Sequence, residues 1–233
     1  MLRNIDLEIP PGETVGIVGP TGAGKSMLIS LLGRIHDPDE GQVTIDNHDL
    51  RNVQLETLRR TVVYVPQETL LFSMPLRDNI ALGVPETPQP QIERAIEQAR
   101  LAKDLPQLPH GLESMVGERG TSLSGGQRQR TAIARALVRD PKVLLLDDAL
   151  ASVDTQTSAE IIAELQGDHE RRTCIIVSQR MAAVQQADQI IVLDHGEIVE
   201  RGNHAELLAL NGRYAEMFNR EEEQAQEVID DDA

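Results

Sequence analysis

Cysteine, aromatic residues and long apolar runs are all scarce in this chain of 233 residues. The single cysteine, Cys174, excludes an intrachain disulfide, and its position in the apolar segment TCIIVS predicts a buried, inert thiol. Apolar runs extend over a few residues only, whereas a helix that spans a bilayer needs about 20. The sequence therefore predicts neither a disulfide framework nor a membrane-spanning helix.

Basic residues are also few relative to acidic ones. Lys and Arg total 22 against 38 Asp and Glu, so the formal net charge is −16. Because the phosphate backbone of a nucleic acid calls for a basic face, no nucleic acid is expected as a partner. Residues 221–233 contain seven acids and no basic residue, and we interpret them as an acidic, solvated tail.

A glycine-rich loop is the most informative motif that is present. Residues 19–26 (GPTGAGKS) fit the phosphate-loop pattern G-x-x-x-x-G-K-[ST], between a predicted buried strand at 14–18 and a predicted helix at 25–34. This context points backbone N–H groups and a helix N-terminus at one place, where negative charge is favoured. We expect Lys25 to lie along the β- and γ-phosphates of a nucleotide and the Ser26 hydroxyl to coordinate magnesium. The predicted nucleotide-binding residues of this loop are Gly19, Pro20, Thr21, Gly22, Ala23, Gly24, Lys25 and Ser26.

A second apolar strand is predicted within residues 142–148 (KVLLLDD), and it ends in two carboxylates. Open α/β sheets bind their ligands at the carboxyl edge of the strands, so a carboxylate at this strand end can lie beside the phosphate loop. Asp147 is therefore predicted to be the magnesium-side carboxylate.

Residues 123–127 (LSGGQ) carry the resemblance to a known family. This segment is similar to the signature of ATP-binding cassette (ABC) ATPases, and the resemblance covers about residues 2–220 with the motifs in the family's order. Residues 116–120 (VGERG) resemble the X-loop that distinguishes exporter-type cassettes. The other matching positions are Gln67 at the Q-loop, residues 151–154 (ASVD) at the D-loop and residues 178–180 (SQR) at the switch.

The resemblance implies a site shared by two cassettes, with ATP and Mg²⁺ as cofactors. In this family two cassettes close head to tail, so that ATP on one phosphate loop is capped by the other signature and neither site is complete in a monomer. The capping and D-loop residues would be Ser124, Gly125, Gly126, Gln127 and Asp154. The magnesium-side residues would be Ser26, Gln67 and Asp147, and the catalytic ones Asp148, Gln179 and Gln67.

Two positions depart from the family pattern. Asp148 stands where the family has a glutamate that polarises the attacking water, and Gln179 replaces the switch histidine. Aspartate is one methylene shorter, and a displacement of about 1 Å can cost about a hundredfold in rate. Glutamine still donates a hydrogen bond but cannot become cationic. We therefore expect nucleotide binding with slow turnover, as in the degenerate site of a heterodimeric exporter whose partner cassette keeps an intact catalytic glutamate.

Other interpretations stay open at this point. Asp148 could serve as a competent base, which would make the chain a fully active homodimeric transport ATPase. A soluble importer ATPase and a regulatory nucleotide-binding module without useful catalysis are two further alternatives. In each of these cases the resemblance implies that the cassette does not itself contact the transported substrate.

The predicted fold class is α/β, with a P-loop NTPase core around a mainly parallel sheet, an antiparallel β region and an inserted α-helical subdomain. The predicted domains are the core at 1–67 and 140–220, the helical subdomain at 68–139 and the acidic tail at 221–233. Strands are also expected at 1–10, where Ile5, Leu7 and Ile9 alternate, and at 41–46 (GQVTID). Asn203 and Glu206 predict a capping box at the start of a late helix.

The resemblance also implies a partner that lies in the membrane. ABC cassettes usually carry an aromatic residue that stacks on adenine upstream of the strand with which this sequence begins. We therefore expect the chain to be the end of a longer polypeptide, with a transmembrane domain fused upstream or supplied as a separate subunit. The cassette would then sit at the cytoplasmic face of the cell membrane, attached through that partner.

Overall fold

A six-stranded sheet organises the chain in a computed structural model that describes residues 2–84, 86–167 and 172–231. The first residue of the predicted core and the last two residues of the predicted tail lie outside this range. The strands are β1 (Thr14–Val18), β2 (Thr44–Ile45), β3 (His48–Asp49), β4 (Val62–Val65), β5 (Val143–Asp147), β6 (Thr173–Val177), β7 (Gln189–Asp194) and β8 (Glu197–Gly202). The sheet order is β4-β5-β6-β1-β7-β8, and β2 pairs with β3 in a separate antiparallel hairpin.

Eight α-helices accompany the strands in the described residues. They are α1 (Lys25–Leu32), α2 (Leu55–Thr61), α3 (Leu76–Ile80), α4 (Gln89–Gln98), α5 (Gly125–Leu137), α6 (Thr155–Gly167), α7 (His204–Leu210) and α8 (Arg213–Asp231). Helices α3, α4 and α5 lie between β4 and β5, the part of the sequence in which we predicted an inserted helical region. None of the described helices combines the length and apolar character that crossing a bilayer requires.

The sheet is buried on both faces, which explains the continuous apolar runs of its strands. Successive residues of a strand point to opposite faces, and in β5 Leu144 and Leu146 join one hydrophobic cluster while Leu145 joins the other. Cys174 on β6 is buried as predicted, and burial raises the pKa of its thiol to about 12, so the thiol is unreactive.

Five of the six strands are parallel and only β8 is antiparallel. The predicted fold class is therefore confirmed, including the mainly parallel core and the antiparallel region. Parallel pairing brings the carboxyl ends of β1, β4, β5 and β6 to one edge of the sheet. The phosphate loop, the Q-loop and the switch follow β1, β4 and β6, and the paired aspartates lie at the end of β5, so all four meet at that edge.

The strand predicted at 1–10 is wrong for the described residues, because residues 2–10 contain no strand. Ile5, Leu7 and Ile9 are half-buried, alternate with exposed residues and pack on the core, as the pattern predicts. Within the described chain this segment belongs to no strand ladder, although the Arg3 N–H donates to the Gly196 carbonyl at 2.8 Å. The strand predicted at 41–46 is shorter in the structure, where it covers Thr44–Ile45.

The two C-terminal helices continue from the core into the acidic segment. The predicted capping box at the start of α7 is present, since Asn203 and Glu206 each accept the backbone N–H of the other. Helix α8 runs through the boundary predicted at residue 221, so the acidic segment begins as the second half of a helix. Glu222 and Glu223 are exposed, but Glu221 is half-buried and accepts a hydrogen bond from the Met181 backbone at 2.7 Å.

Candidate functional site

The loop between β1 and α1 has a backbone that requires glycine. Gly22 and Gly24 have φ of 84° and 105°, in the left-handed region that L side chains rarely adopt. At Gly19, with φ of 148°, an added Cβ would lie 2.0 Å from the Leu193 carbonyl oxygen on β7. The glycines of the motif therefore let the loop pass close to β7 and then turn into the N-terminus of α1.

Lys25 folds back over this loop. Its Nζ donates to the carbonyl oxygens of Gly19 at 2.6 Å and Pro20 at 3.0 Å. Burial lowers the pKa of Lys25, and the charges of Asp148 and Asp147 oppose that shift. The ammonium group thus sits above the loop, where an incoming anion would replace the carbonyls as its partner.

Asp147 ends β5 beside the first turn of α1 and is held at both carboxylate oxygens. The Ser26 hydroxyl lies 3.2 Å from Oδ1, and the Tyr64 hydroxyl donates to Oδ2 at 2.9 Å. Burial, and the hydrogen bond to Asp147, raise the pKa of Tyr64, so its hydroxyl stays protonated and remains a donor. Sequence reasoning missed Tyr64; its only signal was a hydroxyl in an apolar strand that leads into the Q-loop.

Ser26 and Asp147 present hard oxygen atoms that fit magnesium. Magnesium is usually bound by one or two protein oxygens, with water and substrate phosphates as its other ligands. Accordingly, no cluster of three or more His, Cys, Asp or Glu suited to a metal occurs in the part of the chain that the structure describes. Gln67, the third predicted magnesium-side residue, lines the same pocket, and its amide nitrogen donates to Asp148.

Asp148 occupies the turn after β5 with a left-handed φ of 48°. Gln67 Nε2 lies 3.2 Å from its Oδ2, and Gln179 lines the same pocket. Burial raises the pKa of Asp148 and the charge of Asp147 adds to this, while the backbone of Gln179 and the positive charges of Lys25 and Arg180 act in the opposite direction. Both predicted catalytic partners of Asp148 therefore share its pocket.

These groups surround one pocket of about 270 Å³. The predicted residues that line it are Thr21, Gly22, Gly24, Lys25, Ser26, Gln67, Asp147, Asp148 and Gln179, and Met27 and Val177 complete the wall. Of the remaining loop residues, Gly19 and Ala23 are buried and Pro20 is half-buried, and the carbonyls of Gly19 and Pro20 accept from Lys25. The pocket therefore combines a cation, backbone N–H donors and two carboxylates.

The signature forms a second, separate feature at the start of α5. Ser124 caps this helix, with its hydroxyl accepting the Gln127 N–H at 3.2 Å and its own N–H donating to the Gln127 side chain at 2.9 Å. Ser124 is exposed, and no signature residue lines the pocket within the described chain. The structure thus separates the predicted nucleotide-binding residues into two groups within one subunit.

The D-loop packs directly on the signature helix. An added Cβ at Gly126 would lie 3.1 Å from the Ser152 carbonyl oxygen, and the Ser152 N–H donates to Gln129 at 2.7 Å. Asp154 is exposed and caps α6 by accepting the Thr157 N–H at 2.8 Å, which lowers the pKa of its carboxyl. Asp154 therefore also lies outside the pocket of its own subunit.

Two charged contacts fix the neighbourhood of these loops. Asp104 and Arg130 form an ion pair at 2.8 Å with side chains about nine-tenths buried, and Asp104 also accepts from the Gln127 side chain. The Arg180 guanidinium donates to the Val153 carbonyl at 2.7 Å and the Leu150 carbonyl at 3.4 Å. The first contact supports the signature, and the second joins the switch to the D-loop.

Comparisons with known proteins agree with this arrangement. The protein-family model described as "ABC transporter" matches residues 2–151. The chain is 44% identical over 221 residues to a probable multidrug resistance ABC transporter ATP-binding/permease protein of Bacillus subtilis, an alignment that covers 95% of the chain and 38% of that protein. It is 44% identical over 217 residues to an ATP-dependent lipid A-core flippase of Vibrio cholerae, with 93% of the chain and 37% of the flippase covered.

One solved structure extends the similarity to the fold. A bacterial Atm1-family ABC exporter with ATP bound superposes with a TM-score of 0.91 at 40% identity, covering 94% of the chain and 39% of the exporter chain. The chain therefore spans about two fifths of the length of each of these relatives.

Proposed function

The chain belongs to the ABC transporter family, and we propose that it binds Mg-ATP, closes head to tail on a second cassette and powers export through a transmembrane domain. One observation carries this proposal: the pocket joins Lys25, Ser26, Asp147, Asp148 and Gln179, but its lining in the described chain includes no signature residue. Such a pocket holds the phosphates on one side and requires the cap from a second subunit.

Binding would begin at the phosphate loop. The backbone N–H groups at the N-terminus of α1 favour an anion, and Lys25 would exchange the carbonyl oxygens of Gly19 and Pro20 for phosphate oxygens. Ser26 and Asp147 would hold magnesium, which neutralises phosphate charge when bound. The Tyr64 hydroxyl would keep Asp147 oriented throughout, because it contacts the carboxylate oxygen that Ser26 does not use.

The second cassette would meet the exposed end of α5. Ser124 and its neighbouring glycines present a helix N-terminus with small side chains, which suits close approach to the γ-phosphate held by another subunit. The capping box and the buried pair Asp104–Arg130 fix this end of the helix before the partner arrives. The same head-to-tail closure would place Asp154 near the partner's nucleotide.

We further propose that this chain's own site turns over slowly and that its signature completes the faster site of a different partner cassette. The Asp148 carboxylate is already engaged by the Gln67 amide, so it is held toward the protein. A positioned base accelerates hydrolysis by a factor of about 10² to 10⁴, so its loss would raise the activation free energy of hydrolysis by about 3 to 5 kcal/mol.

One observation favours the alternative of a fully active homodimer. Burial raises the pKa of Asp148, which makes its carboxylate a stronger base than an exposed aspartate. If this carboxylate reaches the attacking water when the pocket closes, its greater basicity would compensate for the shorter side chain.

Single-turnover cleavage of Mg-ATP separates the two possibilities. The native chain is compared with the variant Asp148→Glu, Gln179→His and with Gln179→His alone, after ATP binding has been measured for each. Negligible cleavage in the native chain with recovery in the double variant supports the slow site. Equally fast cleavage in the native chain and the double variant would instead assign an ordinary transport ATPase, and absence of ATP binding would overturn the function altogether.

The docking surface for a transmembrane partner lies next to the Q-loop. Leu70, Phe72 and Met115 are exposed apolar side chains on two segments joined by a bridge between Pro75 and Met115. We infer that this patch receives a coupling helix at the cytoplasmic face of the membrane. In an assembled transporter, Phe72→Ser should uncouple ATP turnover from transport while ATP binding by the cassette stays unchanged; retained coupling would argue against this surface.

A further inference from the structure

Two successive N–H groups of the switch are bonded to side chains. The Arg180 N–H donates to the Ser178 hydroxyl at 2.9 Å, and the Met181 N–H donates to Glu221 Oε2 at 2.7 Å. Gln179, the residue before them, lines the nucleotide pocket together with Asp148. The main chain of the switch therefore runs from the pocket to a carboxylate on the C-terminal helix.

Glu221 reaches this position from the middle of α8. Met181 is buried and begins a short 3₁₀ helix, Met181–Ala183, against which α8 packs. Glu221 and Arg180 also line a small cavity together with Leu150 and Ser158. Glu221 therefore lies where α8 meets the switch and the segment after β5 that contains the D-loop.

The hydrogen bond from the Met181 N–H to the Glu221 carboxylate restrains the backbone of the switch. A hydrogen bond from a neutral N–H to a carboxylate is shorter and stronger than one between neutral groups. If the acceptor is removed, the N–H of a buried residue is left without a partner, which is costly. Arg180, the residue between Gln179 and Met181, in turn donates to the Val153 carbonyl of the D-loop.

We propose that Glu221 is a positioning residue: its carboxylate holds the Met181 backbone and thereby keeps Gln179 beside Asp148 in the lining of the nucleotide pocket. This rests on the proposed function in one respect, that the pocket binds ATP. Glu221, the first acid of the C-terminal acidic segment, would thus act on the site from outside, because no described residue of that segment lines the pocket.

Amide hydrogen exchange at Met181 in the nucleotide-free 233-residue chain tests the anchor without any hydrolysis. Glu221→Ala is expected to speed exchange at this amide by about tenfold or more, as loss of a bond to a charged acceptor implies. Glu221→Gln keeps an acceptor oxygen and should restore protection to within a few fold. Glu222→Ala removes the exposed neighbouring acid and should leave exchange unchanged. Equal exchange in Glu221→Ala and the native chain would overturn the proposal.

Single-turnover cleavage then tests positioning in the Asp148→Glu, Gln179→His background, for which the proposed function expects measurable cleavage. Adding Glu221→Ala to this background should lower the cleavage rate by about tenfold with the Kd for ATP unchanged, because the phosphate loop is untouched, and adding Glu221→Gln instead should keep most of the rate. If the native chain itself cleaves ATP, the same comparison is made in the native chain. Faster exchange with an unchanged rate would show that Glu221 anchors the backbone without positioning the site, which contradicts the proposal. Failure of all variants and the native chain to bind ATP would refute the proposed function, whereas the exchange measurement would still decide the anchor.

Discussion

The Tyr64 hydroxyl and the Asp147 carboxylate are hydrogen-bonded across the neighbouring strands β4 and β5, with 2.9 Å between the hydroxyl oxygen and Oδ2. Ser26 contacts the other carboxylate oxygen, so the two hydroxyls together set the orientation of the group proposed to face magnesium. Partners that orient a metal ligand without touching the metal commonly affect affinity strongly.

Tyr64→Phe is therefore expected to weaken the magnesium-dependent part of ATP binding by about tenfold, since such partners contribute 10- to 100-fold. Calorimetric titration with ATP in the presence of Mg²⁺ and in the presence of EDTA separates this part from binding of ATP alone. Tyr214→Phe is the matched control, because it removes a hydroxyl bonded to His204 rather than to Asp147. If Tyr64→Phe weakened ATP binding equally with Mg²⁺ and with EDTA, Tyr64 would not act by orienting the magnesium-side carboxylate.

Gly126→Ala is expected to destabilise the chain by about 1 to 3 kcal/mol, because the new Cβ would press on the Ser152 carbonyl at 3.1 Å in a packed region. The free energy of unfolding in urea measures this effect. Gly167→Ala, also within a helix, places its Cβ in open space and should leave stability unchanged or slightly raised. If the two variants were equally stable, the D-loop would not be packed tightly on the signature.

The two aspartates Asp148 and Asp154 should affect the pH dependence of stability with opposite signs. Burial raises the pKa of Asp148 above its ordinary value of 3.8, so the folded state binds more protons than the unfolded state between these two pKa values. The charged form of Asp148 therefore costs stability above that window. Asp148→Asn is expected to raise the Tm at pH 7, with the gain disappearing as the pH falls below about 4.

For Asp154 the sign is reversed. The Thr157 N–H lowers the pKa of Asp154, so its stabilising contribution is present above the ordinary value of 3.8 and is lost as the pH falls through the lower, folded value. Asp154→Ala should reduce the Tm at pH 7 and reduce it less in acid. Melting curves between pH 3 and 8 check both variants, and a pH-independent difference for either would refute its assigned cause.

Arg130→Met is expected to cost about 3 to 5 kcal/mol of stability, because it leaves the Asp104 carboxylate buried without its cation. The side chains of this pair are 11% and 10% exposed, whereas those of Arg60 and Glu56 are 76% and 78% exposed. Arg60→Met should therefore cost less than about 1 kcal/mol. Denaturant unfolding compares the two, and similar losses would mean that the buried pair is well solvated.

The core strands could be predicted from the sequence because burial on both faces leaves a local signal. The apolar run at 14–18 coincides with β1, and the run that ends at Asp147 coincides with the end of β5. Asp147 was predicted from the carboxyl edge of the sheet to lie beside the phosphate loop, and the family resemblance added Asp148 and Gln179; these residues share one pocket. For the strands and for Asp147, a short stretch of residues determines both the element and its place at the edge of the sheet.

Contacts between distant residues could not be predicted in this way. The alternation of Ile5, Leu7 and Ile9 predicts their burial correctly, but a strand also needs a neighbouring strand, which a local pattern does not reveal. Tyr64 meets Asp147 across 83 residues, and Glu221 meets Met181 across 40. Both partners had the right chemistry in the sequence, and only the fold brings them together.

Gly19 and Asp148 differ in what a substitution would disturb. A side chain at position 19 would collide with the Leu193 carbonyl on β7, so the shape of the phosphate cradle is tied to the integrity of the sheet. The N–H of Asp148 bonds to the Val177 carbonyl, a main-chain contact that does not depend on which carboxylate stands there. If position 148 sets the rate of turnover as proposed, a substitution there would change the chemistry of the site and leave the main chain of the turn in place, whereas one at position 19 would alter the shape of the loop itself.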